Sequence, residues 1–127
     1  MDMIISKGVV VFDGRFLLLK THKELWEFAG GEMIDGETPE QTLARELKEE
    51  TGLRGDIIID LPPNESVIDG VNTFAYVFLM EADDNTVNLS KEHTDFGWFT
   101  MEEAKLLEGL FLKSVLIEYL EKASKLI

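Results

Sequence analysis

The chain contains no cysteine among its 127 residues, which excludes disulfide bonds and thiol chemistry. Its apolar segments are short, and none approaches the roughly 20 residues that a membrane-spanning helix requires. The N-terminal region has neither the basic segment nor the apolar segment of a secretory signal peptide. We therefore expect a cytoplasmic protein that does not associate with membranes.

Basic residues are also scarce, because 12 Lys and Arg stand against 25 Asp and Glu, for a net charge of −13. This balance argues against duplex nucleic acid as the main partner, since binding to a phosphate backbone requires a basic patch. It does not exclude a small nucleotide substrate, because bound metal ions can supply positive charge. With 45% hydrophobic residues, the chain is expected to form one domain over residues 1–127.

One helix is clearly marked between Thr38 and Gly52. Thr38 and Gln41 have the spacing of a capping box at the N-terminus. Pro39 falls at the first helical position, where its missing N–H costs nothing. Gly52 suits the left-handed conformation that ends many helices. These signals predict a helix of about three turns.

This helix carries three acidic residues, Glu46, Glu49 and Glu50, on one face. The neighbouring arc, predicted to be buried, consists of Leu43, Ala44, Leu47 and Thr51. The carboxylates should therefore lie at the edge of the core, where they repel one another unless a cation binds. Carboxylate oxygens are ligands that Mg²⁺ and Mn²⁺ prefer. The alternative is an ordinary solvated acidic face.

The preceding loop favours the metal site over the solvated face. Arg45 lies beside the acids, and it can pair with Glu37 to lock the loop to the helix. The glycines at positions 30, 31 and 36 make the loop tight and bring its backbone close to a bound ligand.

The order of the other elements predicts an α/β/α sandwich with a mixed sheet between helices. Residues 8–12 and 16–20 read as a hairpin around Asp13-Gly14, and a second hairpin turns at Asp69-Gly70. A strand over 56–61 is expected to end at Pro62. Thr100 opens a short helix, and residues 112–120 form an amphipathic helix that packs on the sheet. That helix could also serve as a homodimer interface.

The segment GEMIDGETPEQTLARELKEETGL resembles the Nudix box, G-x5-E-x7-R-E-U-x-E-E-x-G-U, where U is a bulky aliphatic residue. Every specified position is filled, by Gly31, Glu37, Arg45, Glu46, Leu47, Glu49, Glu50, Gly52 and Leu53. The preceding WEFAGG is similar to the family's W-E-F-P-G-G, with Ala29 in place of proline. The later GWFT is similar to the W-F segment that follows the box. The resemblance to Nudix hydrolases implies the same α/β/α sandwich.

The resemblance also implies a function, namely metal-dependent hydrolysis of a diphosphate linkage in a nucleoside diphosphate derivative. The expected ligands of Mg²⁺, or of Mn²⁺, are Glu46, Glu49, Glu50 and the carbonyl oxygen of Gly30. The expected general base is Glu92, by its distance before Trp98, or otherwise Glu49. The expected supports of the scaffold are Gly31, Glu37, Arg45 and Gly52. His93 is expected to be an ordinary surface or capping histidine.

The short chain and Glu92 favour a nucleoside triphosphate as substrate, with ADP-ribose and dinucleoside polyphosphates as alternatives. A second class of function is a non-catalytic, nucleotide-binding or regulatory Nudix-like domain. The complete set of acids argues against it, because a pure binding module has little reason to keep charges that repel one another. A plain acidic scaffold is the third interpretation, and it predicts no response of the melting temperature to Mg²⁺.

Overall fold

The computed structural model describes residues 2–127, which form one seven-stranded sheet and three helices. The strands are β1 (Met3–Phe12), β2 (Arg15–Thr21), β3 (Trp26–Glu27), β4 (Ala29–Glu32), β5 (Gly55–Ile68), β6 (Val71–Ala82) and β7 (His93–Phe99). The helices are α1 (Pro39–Thr51), α2 (Met101–Lys105) and α3 (Lys113–Ser124). Within these described residues, no helix is long and apolar enough to cross a membrane.

The sheet is mixed and its main path runs β3-β2-β1-β6-β5. β4 pairs with β1 and β7 pairs with β2. β1 and β6 are parallel, whereas the other pairs are antiparallel. The two predicted hairpins are present, and both residues of each turn, Asp13-Gly14 and Asp69-Gly70, have positive φ. A two-residue type I′ turn requires this conformation.

Both faces of the sheet are covered, as continuous apolar strands predict. In β1, Val9 and Val11 pack on the side of α2 and α3, whereas Val10 packs on the side of α1. The α1 side includes Leu17, Leu19, Leu43, Leu47, Phe78 and Met80. The opposite side includes Phe16, Leu18, Ala104, Leu116, Tyr119 and Leu120. The predicted α/β/α sandwich is therefore confirmed.

Helix α1 begins and ends as its sequence predicts. Thr38 and Gln41 make both bonds of the capping box, at 3.1 and 2.9 Å, and the C-cap Gly52 has φ 76°. The buried face, however, differs from the prediction, because Ala44 is exposed and Glu50 is buried. Leu43, Leu47 and Glu50 follow one another at i, i+4 and i+7, so a helix that buries both leucines also turns Glu50 inward.

The prediction that a strand ends at Pro62 is wrong, because β5 continues to Ile68. β5 is an edge strand, and its register with β6 shifts between Leu61 and Asn64. Proline is tolerated at such a bulge because it needs no ladder donor there. The Tyr119 hydroxyl donates to the carbonyl of Pro62 at 2.5 Å and so joins this bulge to α3.

Candidate active site

Glu50 is a buried carboxylate held against the backbone of β4. Its residue is only 3% exposed, and it accepts a hydrogen bond of 2.9 Å from the N–H of Gly30. Gly30 has φ 137°, and a Cβ there would collide with the carbonyl oxygen of Ser6. Burial raises the pKa of Glu50 to about 7. The Glu50 carboxyl group is thus largely shielded from bulk water, and glycine at position 30 permits the backbone conformation that donates to it.

Glu46 places its carboxyl group directly over Gly31. A Cβ on Gly31 would come 2.6 Å from the Cδ of Glu46, so only glycine leaves room for this arrangement. Burial raises the pKa of Glu46, and the nearby charges of Glu49 and Glu92 act in the same direction, while Arg45 opposes them. Glu46 therefore lies close enough to Glu49, Glu50 and Glu92 for their charges to influence one another.

Arg45 joins the loop before α1 to the helix, as its position predicted. Its guanidinium donates to both carboxylate oxygens of Glu37, at 2.6 and 3.1 Å, and to the carbonyl of Glu32 at 3.1 Å. Glu37 also accepts bonds from the hydroxyl of Thr42 and the N–H of Ile34. Hydrogen bonding from Arg45 lowers the pKa of Glu37 to about 2, so this carboxylate stays charged. The two hydrogen bonds between Arg45 and Glu37 hold the loop at the acidic edge of α1.

The loop between β6 and β7 brings Glu92 to the same place. Its backbone is bonded to the end of α1, from the N–H of Asn88 to the carbonyl of Thr51 at 2.8 Å and from the N–H of Ser90 to the carbonyl of Glu50 at 3.0 Å. As a result, a carboxylate oxygen of Glu92 lies within 4.8 Å of one of Glu50. Glu92 is exposed to solvent, whereas Glu50 is buried.

Glu49, unlike Glu46 and Glu50, is largely exposed, with 57% of its side chain accessible to solvent. Its nearest cation is the guanidinium of Arg45 at 3.4 Å. It is not part of the compact group formed by Glu50, Glu92 and His93. Glu49 can therefore reach a ligand in the cleft only from the open side.

The prediction that His93 lies at the surface is wrong. As the first residue of β7 it is buried, and its Nε2 lies 2.9 Å from Glu27 Oε2. Glu27 in turn is 3.8 Å from the ammonium of Lys7. Burial disfavours the charged imidazole, but the hydrogen bond to Glu27 and the charge of Glu50 outweigh it and raise the pKa of His93.

Sequence reasoning missed the row of side chains formed by Lys7, Glu27 and His93, because these residues are far apart in the chain. Glu27 and His93 are separated by 66 residues, so no local pattern connects them. One signal was available: Lys7 interrupts an otherwise apolar strand, MIISKGVVVF. A buried charge within such a strand indicates a partner or a site.

A mainly apolar pocket lies next to the acids, between the sheet and α3. Its walls include Ile5, Phe28, Val77, Val115 and Tyr119. Lys7 and Glu27 also line it, and Glu27 bonds His93, which lies beside Glu50. The pocket is therefore connected to the carboxylates through the Glu27–His93 hydrogen bond, and its walls include none of the acids of α1.

The donor set fits a divalent cation. The carboxylates of Glu50 and Glu92 lie within 4.8 Å of each other beside a buried imidazole, and a bound cation would relieve their repulsion. Within residues 2–127, Nδ1 of His93 is the only buried side-chain nitrogen or oxygen without a hydrogen-bond partner. Carboxylate oxygens suit Mg²⁺ or Mn²⁺, and an additional imidazole nitrogen favours Mn²⁺ or another transition-metal ion.

Comparison with known proteins identifies the family to which this site belongs. The family model of the NUDIX domain matches residues 4–119. The chain belongs to the NUDIX family. The resemblance seen in the segment from Gly31 to Leu53 is thereby confirmed for most of this NUDIX chain.

Individual NUDIX relatives agree with this assignment. The chain is 35% identical over 98 residues to a MutT-like protein from Streptomyces ambofaciens, covering 76% of this chain but only 62% of that protein. It is 28% identical over 110 residues to the CTP pyrophosphohydrolase of Escherichia coli, covering 82% of this chain and 81% of the enzyme. A NUDIX-family hydrolase from Clostridium perfringens has the same fold, with a TM-score of 0.86 at 17% identity over 99% of this chain and 98% of that one.

Proposed function

We propose that this NUDIX chain is a metal-dependent pyrophosphohydrolase that cleaves the diphosphate linkage of a nucleoside triphosphate. One observation carries the proposal: the buried Glu50 and the exposed Glu92 bring carboxylate oxygens within 4.8 Å of each other, beside a histidine, His93, that is bonded to Glu27 in the wall of the apolar pocket. A nucleoside in the pocket would place its phosphates among the acids, where only a bound cation makes their approach favourable. The name of the Escherichia coli relative, a CTP pyrophosphohydrolase, supports a nucleoside triphosphate over ADP-ribose or a dinucleoside polyphosphate.

The proposed ligands of Mg²⁺ or Mn²⁺ are the carboxylates of Glu46, Glu49 and Glu50 with the carbonyl oxygen of Gly30. Burial of two of these carboxylates supports this assignment, since bound positive charge would relieve their repulsion. The exposed Glu49 would join from the solvent side. When bound, the ion would supply Lewis-acid stabilisation of the phosphoryl oxygens.

In the proposed reaction, water attacks one phosphorus, a new P–O bond forms, and the bond to the bridging oxygen breaks. Glu92 would take the proton of the attacking water, because its exposed carboxylate lies beside the buried Glu50. Glu49 is the alternative base. Glu37 and Arg45 would act at a distance, by holding the loop that positions the acids.

A substrate panel tests the proposal directly. The purified protein is incubated with nucleoside triphosphates, ADP-ribose and a dinucleoside polyphosphate, with Mg²⁺ and then with EDTA, and the products are separated. We expect rapid cleavage of a nucleoside triphosphate that EDTA abolishes. Glu50→Gln should reduce the rate by orders of magnitude, whereas Glu40→Gln, at an exposed position in the first turn of the same helix, should not.

Two results would contradict the proposal. Turnover that persists in EDTA or in Glu50→Gln would remove the acids from the mechanism. Nucleotide binding without cleavage of any compound would instead favour a non-catalytic binding domain. A homodimer through α3 and a cytoplasmic location stay predictions, and sedimentation of the purified protein tests the first.

A further inference from the structure

The buried histidine next to the acids is oriented by a carboxylate. Glu27 can only accept hydrogen bonds, so the bond of 2.9 Å requires that His93 carry a proton on Nε2. The side chain of His93 is only 3% exposed, and Lys7 holds Glu27 from its other side at 3.8 Å. The ring is therefore fixed both in its rotation and in the nitrogen that it turns toward Glu27.

The other ring nitrogen has no partner. Nδ1 of His93 is buried and makes no hydrogen bond to any of residues 2–127. One ring nitrogen of His93 lies within 4.8 Å of carboxylate oxygens of Glu50 and Glu92, and Nδ1 is the nitrogen that Glu27 leaves free. A buried nitrogen without a hydrogen-bond partner is unfavourable. In this protein the unpartnered nitrogen belongs to a ring that lies beside two carboxylates.

We propose that Nδ1 of His93 is a direct ligand of a divalent first-row transition-metal ion that also binds Glu50 and Glu92. Glu27 is then a positioning residue, because a histidine ligand commonly donates its second ring N–H to a carboxylate. This inference rests on the proposed function and deepens it, since it adds His93 and Glu92 to the ligands of the cation and names the chemical class of the ion. With Glu92 bound to the ion, Glu49 is the general base of the proposed reaction.

The dimensions of the cluster fit such an ion. Ligand atoms bound at about 2.1 Å to one ion lie roughly 3 Å apart when they are at right angles. One oxygen each of Glu50 and Glu92 and one ring nitrogen of His93 are already within 4.8 Å of one another, and rotation of the exposed Glu92 side chain would close the remaining gap. The buried Glu50 and His93 form the fixed part of the site.

The nitrogen ligand has a consequence for metal choice. Mg²⁺ binds oxygen almost exclusively, whereas imidazole favours transition metals. His93 should therefore raise the affinity for Mn²⁺ and Co²⁺ and leave that for Mg²⁺ nearly unchanged. The acids on α1 alone would not discriminate between these ions in this way.

The test uses electron spin echo spectroscopy of Mn²⁺, which detects a ¹⁴N nucleus bound to the ion. The chain has two histidines, so His22→Asn leaves His93 as its sole imidazole. His22 is exposed and bonds only the carbonyl of Lys91. We expect ¹⁴N modulation in the wild type and in His22→Asn. Labelling with ¹⁵N-histidine should replace it, and His93→Gln, which can still donate to Glu27, should lose it.

Calorimetric titration supplies a second readout that does not depend on activity. His93→Gln should weaken Mn²⁺ and Co²⁺ binding by about tenfold or more, and Glu27→Gln by about tenfold, with little change for Mg²⁺. Absence of ¹⁴N modulation from Mn²⁺ bound to the wild type would overturn the inference. So would Mn²⁺ affinity in His93→Gln within about twofold of wild type.

The outcome is separable from that of the proposed function. Hydrolysis that requires Glu50 but occurs without nitrogen coordination would overturn only the histidine ligand. Nitrogen coordination in a protein that cleaves no nucleotide would support the ligand and contradict the pyrophosphohydrolase.

Discussion

Replacing Glu50 with glutamine should stabilise the metal-free protein above neutral pH while it abolishes activity. Burial raises the pKa of Glu50 from 4.5 to about 7, so the folded state favours the protonated form. This contribution to stability is complete below pH 4.5 and is lost as the pH rises to about 7. The glutamine is neutral at every pH and can still accept the hydrogen bond from Gly30.

The expected magnitude follows from that pH window. Stability changes by about 1.4 kcal/mol per pH unit within it, so the ionised Glu50 costs up to roughly 3 kcal/mol at pH 8. In the presence of EDTA, Glu50→Gln should therefore be more stable than the wild type at pH 8 by up to this amount. At pH 4.5 the two proteins should have nearly the same free energy of unfolding.

Urea denaturation at both pH values measures the difference. Glu49→Gln is the matched control, because it removes the neighbouring carboxylate on the solvent side. It should change stability by less than about 0.5 kcal/mol, as exposed substitutions usually do. Addition of Mn²⁺ should reverse the order of Glu50→Gln and wild type at pH 8, because only the wild type keeps the full ligand set. Equal stability of the two at pH 8 in EDTA would refute the reasoning.

Three other substitutions test the support of the site. Gly31→Ala should displace the carboxyl group of Glu46, 2.6 Å from the new Cβ, and weaken Mn²⁺ binding about tenfold in calorimetry while the circular dichroism spectrum stays unchanged. Arg45→Lys cannot make the two-pronged contact with Glu37, so kcat should fall by roughly tenfold to a hundredfold. Tyr119→Phe removes a hydrogen bond to a β5 carbonyl and should cost about 1 kcal/mol in urea denaturation; an unchanged free energy of unfolding would contradict a stabilising role of this bond.

The parts of the fold that sequence reasoning predicted are those encoded by neighbouring residues. The caps of α1 at Thr38 and Gly52, and the turns at Asp13-Gly14 and Asp69-Gly70, depend on backbone preferences that short motifs carry. The continuation of strand β5 beyond Pro62 could not be predicted from such short motifs. It depends on β5 being an edge strand, which only the assembled sheet determines.

The same division applies to the site. The acids of α1 and the Glu37–Arg45 contact come from one continuous segment, so their spacing already predicted them. The depth of Glu50 did not follow from spacing, because it depends on how α1 rotates to bury its two leucines. His93 was missed because its partner, Glu27, comes from a strand distant in the chain.

The two bonds that join the β6–β7 loop to the end of α1 have a consequence for how this scaffold can diversify. Both run between main-chain atoms, from positions 88 and 90 to the carbonyls of Thr51 and Glu50. Such bonds survive almost any change of side chain along residues 83–91. Substitutions within residues 83–91 could thus accommodate new substrates, while Glu92 keeps the same position in the site.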